Sequence, residues 1–264
     1  MIVVTGATGT IGRHLIETLT GLGRAVAPIS RAAGPTAAQV LEGGGVEALF
    51  LHPRAVGEHS AELVRLAREH GVRRVVALSA MNVEEPDERQ PSRLAGDRNR
   101  ETEQAAAASG LPWVSLRASS FASNTGRAFG PQLRAGDVVR YTFRGFEESL
   151  VDERDLADVA VKALLGQAGA GVLELTGPQS LSHGEQVAIL GAVLGRPLRF
   201  EEVPPEAAAR AMIAGGMPEA FATALMDRYR RHLDRPQHPP TGVVAAVLGR
   251  PARTFAQYCA SLVP

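Results

Sequence analysis

The sequence predicts an α/β fold: a doubly wound parallel sheet with a small C-terminal α+β lobe. Three observations predict it. The chain opens on a β-branched run, Ile2-Val3-Val4, followed at once by a glycine-punctuated turn and helical spacing. Short apolar runs then alternate with amphipathic helical stretches, the pattern of successive βα units. After Gly171 that alternation lapses into short strand-like runs and helices broken by Gly and Pro.

Bulk properties narrow the partners. With 264 residues and 45% hydrophobic content, the chain suits one large α/β domain with a small appended lobe. The 28 basic and 28 acidic residues cancel, so neither a nucleic-acid nor an anionic-membrane partner has electrostatic support, and a small-molecule substrate is expected. The single cysteine, Cys259, excludes an internal disulfide, and no zinc-like cluster is present, so no metal site is expected. No apolar run is long enough to span a membrane, and with the first strand starting at residue 2 no signal peptide is expected. A cytoplasmic protein, monomer or homodimer, is the expectation. Lys162 is the only lysine, which nearly excludes a catalytic one.

In the opening unit, Gly6 allows a tight turn, Gly9 lets a pyrophosphate approach the backbone, and Gly12 lets helix and strand pack closely. Helical spacing follows, with Ile11, Leu15, Leu19 and Leu22 inward and Gly23 as the stop. Free N–H groups at that helix start face anions, which makes Gly6, Thr8, Gly9, Thr10, Ile11 and Gly12 the candidate phosphate cradle. The second strand, 25–31, ends in Ser30-Arg31, with no acidic residue before Glu42 to hold a ribose 2′-hydroxyl. Arginine instead pairs with a 2′-phosphate, so NADP(H) is preferred over NAD(H).

The fourteen residues 32–45 hold one short helix, but not two helices with a strand between. The next strand, 46–51, ends in Leu51-His52, at a carboxyl end where ligands of parallel sheets collect. His52 there touches ligand or is hydrogen-bonded structure. A helix at 60–70 carries Leu63, Leu66 and Ala67 inward and stops at Gly71; strand 75–78 runs into Ser79. Glu101 and Glu103 read as a solvated helix face. Strand 111–117 leads to the loop 118–124. Tyr141, on a short strand, is either structural or a replacement proton donor. Asp155 opens a helix as an acid at its positive end, and Ser182 with Glu185 forms a capping box.

The stretches TGATGTIG, GVRRVVALSA, ETEQAAAASGLPWVSLRASSF, DERDLADVAVKALL, LELTGPQSLSHGEQVAILGAVLGRPL and GVVAAVLGRPARTFAQYCAS, in this order, resemble the NmrA-like branch of the short-chain dehydrogenases/reductases, nearest its quinone-reductase-like members. The resemblance implies a Rossmann-type core over 1–130, with 150–166 returning to it, and a substrate lobe over 131–149 and 167–264. Against the family, one helix and one strand are missing after the second strand, which leaves that strand at the sheet edge and trims the adenine pocket. Typical dehydrogenases place a serine at the position of Ser79 and a Tyr-x-x-x-Lys pair on the next helix. Here Leu94 and Arg98 stand in those places. Arg98 is suited to hold the nicotinamide ribose but not to serve as an acid. Phe121 and Asn124 match the family's loop, Phe121 covering the nicotinamide or plugging the core. The catalytic candidates are Ser79, Arg98 and Tyr141. Two readings follow: an NADPH-dependent reductase of a quinone- or enone-like acceptor, or a non-catalytic NAD(P)-sensing protein.

Overall fold

The apolar run after Met1 forms β1 (Ile2–Thr5), buried throughout, and the glycine turn launches α1 (Thr10–Gly21). The computed structural model describes residues 1–30 and 36–262. Next come β2 (Val26–Ile29), α2 (Ala37–Glu42), β3 (Ala48–Leu51), α3 (Pro53–Val56), α4 (Ser60–Glu69) and β4 (Arg74–Ala80). They are followed by α5 (Pro91–Leu94), α6 (Asn99–Ala107), β5 (Trp113–Ala118), α7 (Ser123–Ala135), β6 (Val138–Tyr141) and β7 (Glu147–Glu148). The chain continues through α8 (Glu153–Leu164), β8 (Gly171–Leu175), β9 (Leu181–Ser182), α9 (His183–Leu194) and β10 (Arg199–Glu202). It ends in α10 (Pro205–Ala214), α11 (Glu219–Arg231), α12 (Val243–Leu248) and α13 (Phe255–Ala260).

Six strands form one parallel sheet in the order β2-β1-β3-β4-β5-β8. Alternate residues serve opposite faces. Ile2, Val4, Phe50, Val76 and Leu116 pack with α1 and α8; Val3, Leu49, Leu51, Val75 and Ala77 pack with α2, α4 and α6. Burial on both faces explains why these strands read as unbroken apolar runs. A third core, around Phe129, Tyr141, Phe146, Met226 and Tyr229, lies under the two small sheets β10-β6 and β7-β9. No helix among the described residues is long and apolar enough to cross a membrane.

The sheet passes from β2 through β1 directly to β3, with only α2 described between β2 and β3, so β2 is an edge among the described residues. The expected loss of a strand and helix is therefore found. The carbonyls of Ala25 and Ile29 accept from the side of β1 (2.8 and 3.1 Å), so strand alternation turns Pro28 toward the open side.

Two expectations are corrected. Leu22 is exposed, because α1 ends at Gly21 and Leu22 caps it instead of continuing the buried stripe. Nor does the chain leave the sheet at Gly171: β8 pairs with β5 from Val114↔Gly171 to Ala118↔Leu175. Its position at the other edge exposes Val172, which blurred the apolar signal. α12 likewise packs on α8 and β8, burying Val244 in the sheet's core. Asp155 fastens this returning segment: its buried carboxylate accepts from the Arg253 N–H (2.6 Å) and from Arg250 Nη2 (2.8 Å) and pairs with the Arg253 guanidinium.

Candidate functional site

The glycine turn sits at the carboxyl end of β1. Gly6 has φ +70°, and a Cβ there would lie 2.7 Å from the His52 ring. A Cβ on Gly12 would lie 2.2 Å from the Gly6 carbonyl oxygen. Gly9 is the N-cap of α1 and donates its N–H to Gly6 O at 3.0 Å. No side chain caps α1, its first turn holds no acid, and the N–H groups of Thr10, Ile11 and Gly12 make no hydrogen bond among the described residues. Open donors at a positive helix end, with no Cβ in the way, fit a dinucleotide pyrophosphate. Thr8 and Thr10 are exposed at the mouth. Ile11 and Leu51 put their side chains into the core, so only their main chains face the site.

Thr5, which sequence reasoning missed, ties the ends of β1 and β3 together. Its Oγ1 donates to Phe50 O (2.9 Å) and accepts from the His52 N–H (2.8 Å). The His52 ring then accepts from the Arg54 N–H through Nδ1 at 3.3 Å, N-capping α3 while walling the glycine turn. Of the two readings of His52, this geometry carries the structural one. Ser30 follows β2, half-buried; Arg31 lies outside the described residues.

At the ends of β4 and β5 the sequence reading of Glu103 is corrected. Its side chain is 12% exposed, and its carboxylate grips Arg117 (Nη2 2.6 Å, Nε 3.1 Å) and accepts from Ser115 Oγ at 2.6 Å. Burial alone would raise this carboxyl. The hydrogen bonds from Arg117 and Ser115, helped by the nearby Ser79 hydroxyl, outweigh burial and hold it below its ordinary value. Ser79 is buried; its hydroxyl forms no well-shaped hydrogen bond of its own, although it adds to this pull on Glu103. Glu101 stays half-exposed, paired with Arg93 at 2.8 Å. Arg98 caps the start of α6, its Nη1 donating to Asp97 O (3.3 Å) and its Nε 3.7 Å from Glu58. No hydrogen bond joins it to Ser79. Leu94 closes α5.

Tyr141 is also corrected as a donor. It lies in the lobe core, edge-on to Phe129 and His183, with its hydroxyl 3.1 Å from that of Tyr229. Burial pushes its pKa up to about 12, so it does not give up a proton readily. Phe121 pairs with Val151 in an isolated bridge and packs half-buried against the sheet core, which favours the plug. Asn124 lies in the first turn of α7. Among the described residues no cluster of three His, Cys, Asp or Glu side chains is placed to hold a metal.

No protein-family model matches the chain. A curated relative from Streptomyces griseus, (4-alkanoyl-5-oxo-2,5-dihydrofuran-3-yl)methyl phosphate reductase, is 37% identical over 98% of this chain and 97% of its own. The chain belongs to the NmrA-like family of atypical short-chain dehydrogenases/reductases, NAD(P)H-dependent oxidoreductases of the Rossmann superfamily. A second relative, the NAD(P)H azoreductase of Xenophilus azovorans, is 30% identical over 98% of this chain and 96% of its own. Among solved structures, NADPH-dependent quinone oxidoreductase of Escherichia coli, complexed with NADPH, matches with TM-score 0.78 at 21% identity over 100% of both chains. Triphenylmethane reductase of Citrobacter, complexed with NADP(H), matches with TM-score 0.74 at 19% identity over 100% of this chain and 99% of its own. This NmrA-like chain thus keeps the glycine turn in full and has no tyrosine or lysine at Leu94 and Arg98, where typical dehydrogenases hold their acid pair.

Proposed function

We propose that this protein reduces a small, conjugated acceptor of the quinone or enone class with NADPH, the acceptor lying where β4 and β5 end. The cofactor, when bound, supplies the hydride. The chain's own residues bind, orient and exclude water. Gly6, Thr8, Gly9, Thr10, Gly12 and the Ile11 N–H cradle the pyrophosphate, and Ser30 with Arg31 selects the 2′-phosphate. Ser79, Arg98 and Phe121 border the nicotinamide end, beside the main chain of Leu51 and His52.

One observation carries the reading. None of the three tyrosines of the chain stands at the position of the family acid, and two of them, Tyr141 and Tyr229, are deep in the lobe core. A simple ketone needs a proton as its alkoxide forms. A quinone or enone instead spreads the incoming electron pair onto a stabilised oxygen that water can protonate. Both curated relatives are named for reduction of conjugated systems, an unsaturated keto-lactone in one and an azo group in the other, which supports this class.

The test is purified protein with NADPH or NADH and a panel of quinones, unsaturated lactones and azo dyes, with cyclohexanone as the saturated control. Loss of reduced-nicotinamide absorbance reports turnover. Quinones and unsaturated lactones should turn over, faster with NADPH, and cyclohexanone should not. Equal reduction of cyclohexanone sinks the acceptor class. Bound cofactor without oxidation by any acceptor decides for a cofactor-sensing protein.

A further inference from the structure

Beyond β5 the chain runs into Ser119 and Ser120, a segment fastened to the strand-like stretch before α8. Ser119 Oγ donates to Ser149 O at 2.5 Å, and the Val151 N–H donates to Ser120 O at 2.9 Å. From the other side α11 brings in Arg228, whose side chain is 14% exposed. Its Nε donates to Gln237 Oε1 (2.8 Å), and Nη1 and Nη2 both reach Ser120 Oγ, at 3.2 and 3.3 Å. The guanidinium lies 5.6 Å above the Phe146 ring centroid. Glu148 Oε2 stands 3.6 Å from Nη2, near enough to balance the charge but outside good hydrogen-bond distance.

A guanidinium carries five N–H groups. Three are engaged by Gln237 and Ser120; the remaining two have no acceptor among the described residues. They border a cavity of about 10 Å³, walled also by Ser119, Ser149, His238 and the two acidic residues Glu147 and Glu148, which is room for roughly one water-sized group. His238 is pushed down to about 4, by burial first and then by the Arg228 and His232 charges, so it is neutral near pH 7 and adds no competing charge. A nearly buried arginine with open donors, facing space for one oxygen at the carboxyl end of a parallel sheet, is built to hold a ligand oxygen. The space is too small for a phosphate.

We propose that Arg228 is the oxyanion seat of the acceptor site, holding the one acceptor oxygen that becomes negative during reduction. This rests on the hydride-acceptor reading above. In the step, a hydride adds with its electron pair to an electrophilic acceptor carbon and a new C–H bond forms. The C=C π bond breaks, and its pair moves through the conjugated system onto the carbonyl oxygen, which becomes an enolate. With a quinone, the carbon that took the hydride then gives up a proton to water, its C–H pair restores the aromatic ring, and the second carbonyl oxygen takes a proton from water. The acceptor gains two electrons and the nicotinamide loses them; water gives the oxygen its proton. Arg228 supplies the polarising half of the absent tyrosine's work without the proton, because a guanidinium does not deprotonate at neutral pH. Loss of one oxyanion donor typically costs about 100- to 1,000-fold in kcat, and the balancing charge of Glu148 places this site near the lower figure.

The experiment compares wild type, Arg228→Met and Arg228→Lys on a series of para-benzoquinones of graded electron demand. The expected result is an about 100-fold fall in kcat for Arg228→Met on the least electron-poor quinone. The penalty should shrink toward the most electron-poor quinone, with KM for NADPH unchanged and most of the rate kept by Arg228→Lys. A second readout needs no turnover: para-nitrophenol is titrated in the protein loaded with NADP+. Wild type and Arg228→Lys should bind it as phenolate at a lower pH than free solution requires, and Arg228→Met should not. A uniform rate loss across the quinones, or identical nitrophenol titrations in all three proteins, overturns the seat. If wild type oxidises no NADPH with any quinone, the activity reading fails by itself, and the nitrophenol titration alone decides for or against Arg228.

Discussion

Glu103→Gln isolates the ion pair that joins α6 to β5. The carboxylate and the Arg117 guanidinium are 12% and 14% exposed and share contacts at 2.6 and 3.1 Å. Removing the negative charge leaves a nearly buried cation whose remaining partner is Glu84, at 2.8 Å but 77% exposed and so well solvated. Breaking one side of a buried pair costs about 3–5 kcal/mol; the help from Glu84 places this case near about 3 kcal/mol. At roughly 2–4 °C per kcal/mol for a chain of this size, the melting temperature should fall by about 6–12 °C. Because the folded carboxyl titrates below its ordinary value of 4.5, its stabilisation is complete above that pH and is lost as pH falls through the folded value. The gap between wild type and Glu103→Gln, followed by thermal unfolding, should therefore be widest near neutrality and close in acid. The paired change Glu103→Leu with Arg117→Met should recover most of the loss, since no charge is then left buried. A single variant within about 0.5 kcal/mol of wild type, the ordinary range for a surface change, would refute the reasoning.

Three further outcomes are expected. Gly12→Ala puts a Cβ 2.2 Å from the Gly6 carbonyl; it should cost about 1–3 kcal/mol of stability and weaken NADPH binding at least about tenfold, measured by fluorescence titration. Arg31→Ala should cost NADPH about 1–3 kcal/mol of binding and leave NADH nearly unchanged; equal losses in calorimetry sink the 2′-phosphate assignment. Asp155→Asn weakens the hold on Arg250 and Arg253, so limited trypsin digestion should cut after Arg253, which unlike Arg250 is not followed by proline, faster than in wild type, and an unchanged rate contradicts the clamp.

Local signals carried the sheet and the cradle. The strand-glycine-helix opening, the capping box at Ser182 and the missing strand after β2 were legible because each depends on residues close in sequence. What stayed hidden depends on distant partners. Glu103 looks solvated on a helical wheel, and its burial follows only from where Arg117 and Ser115 emerge on β5. Tyr141 was a fair donor candidate until Tyr229, 88 positions away, met its hydroxyl. Arg228 had no chance of detection, being one of several arginines on α11, of which Arg230 and Arg231 point to exposed or peripheral acids instead. The one advance sign for Thr5 was a polar β-branched residue closing an apolar strand.

A sheet that loses an outer strand normally acquires a sticky margin, since the newly uncovered backbone offers itself as a template to any passing extended chain. In β2 the two residues turned outward are Val26 and Pro28, and only Val26 has an N–H to offer. An incoming strand would find its ladder interrupted after one rung. The uncovered edge of β2 therefore offers a second extended chain little to pair with. On the proposed binding mode, with the adenine beside this edge, the cofactor is gripped chiefly by its phosphates, so exchange with the bulk pool should be quick and sensitive to ionic strength.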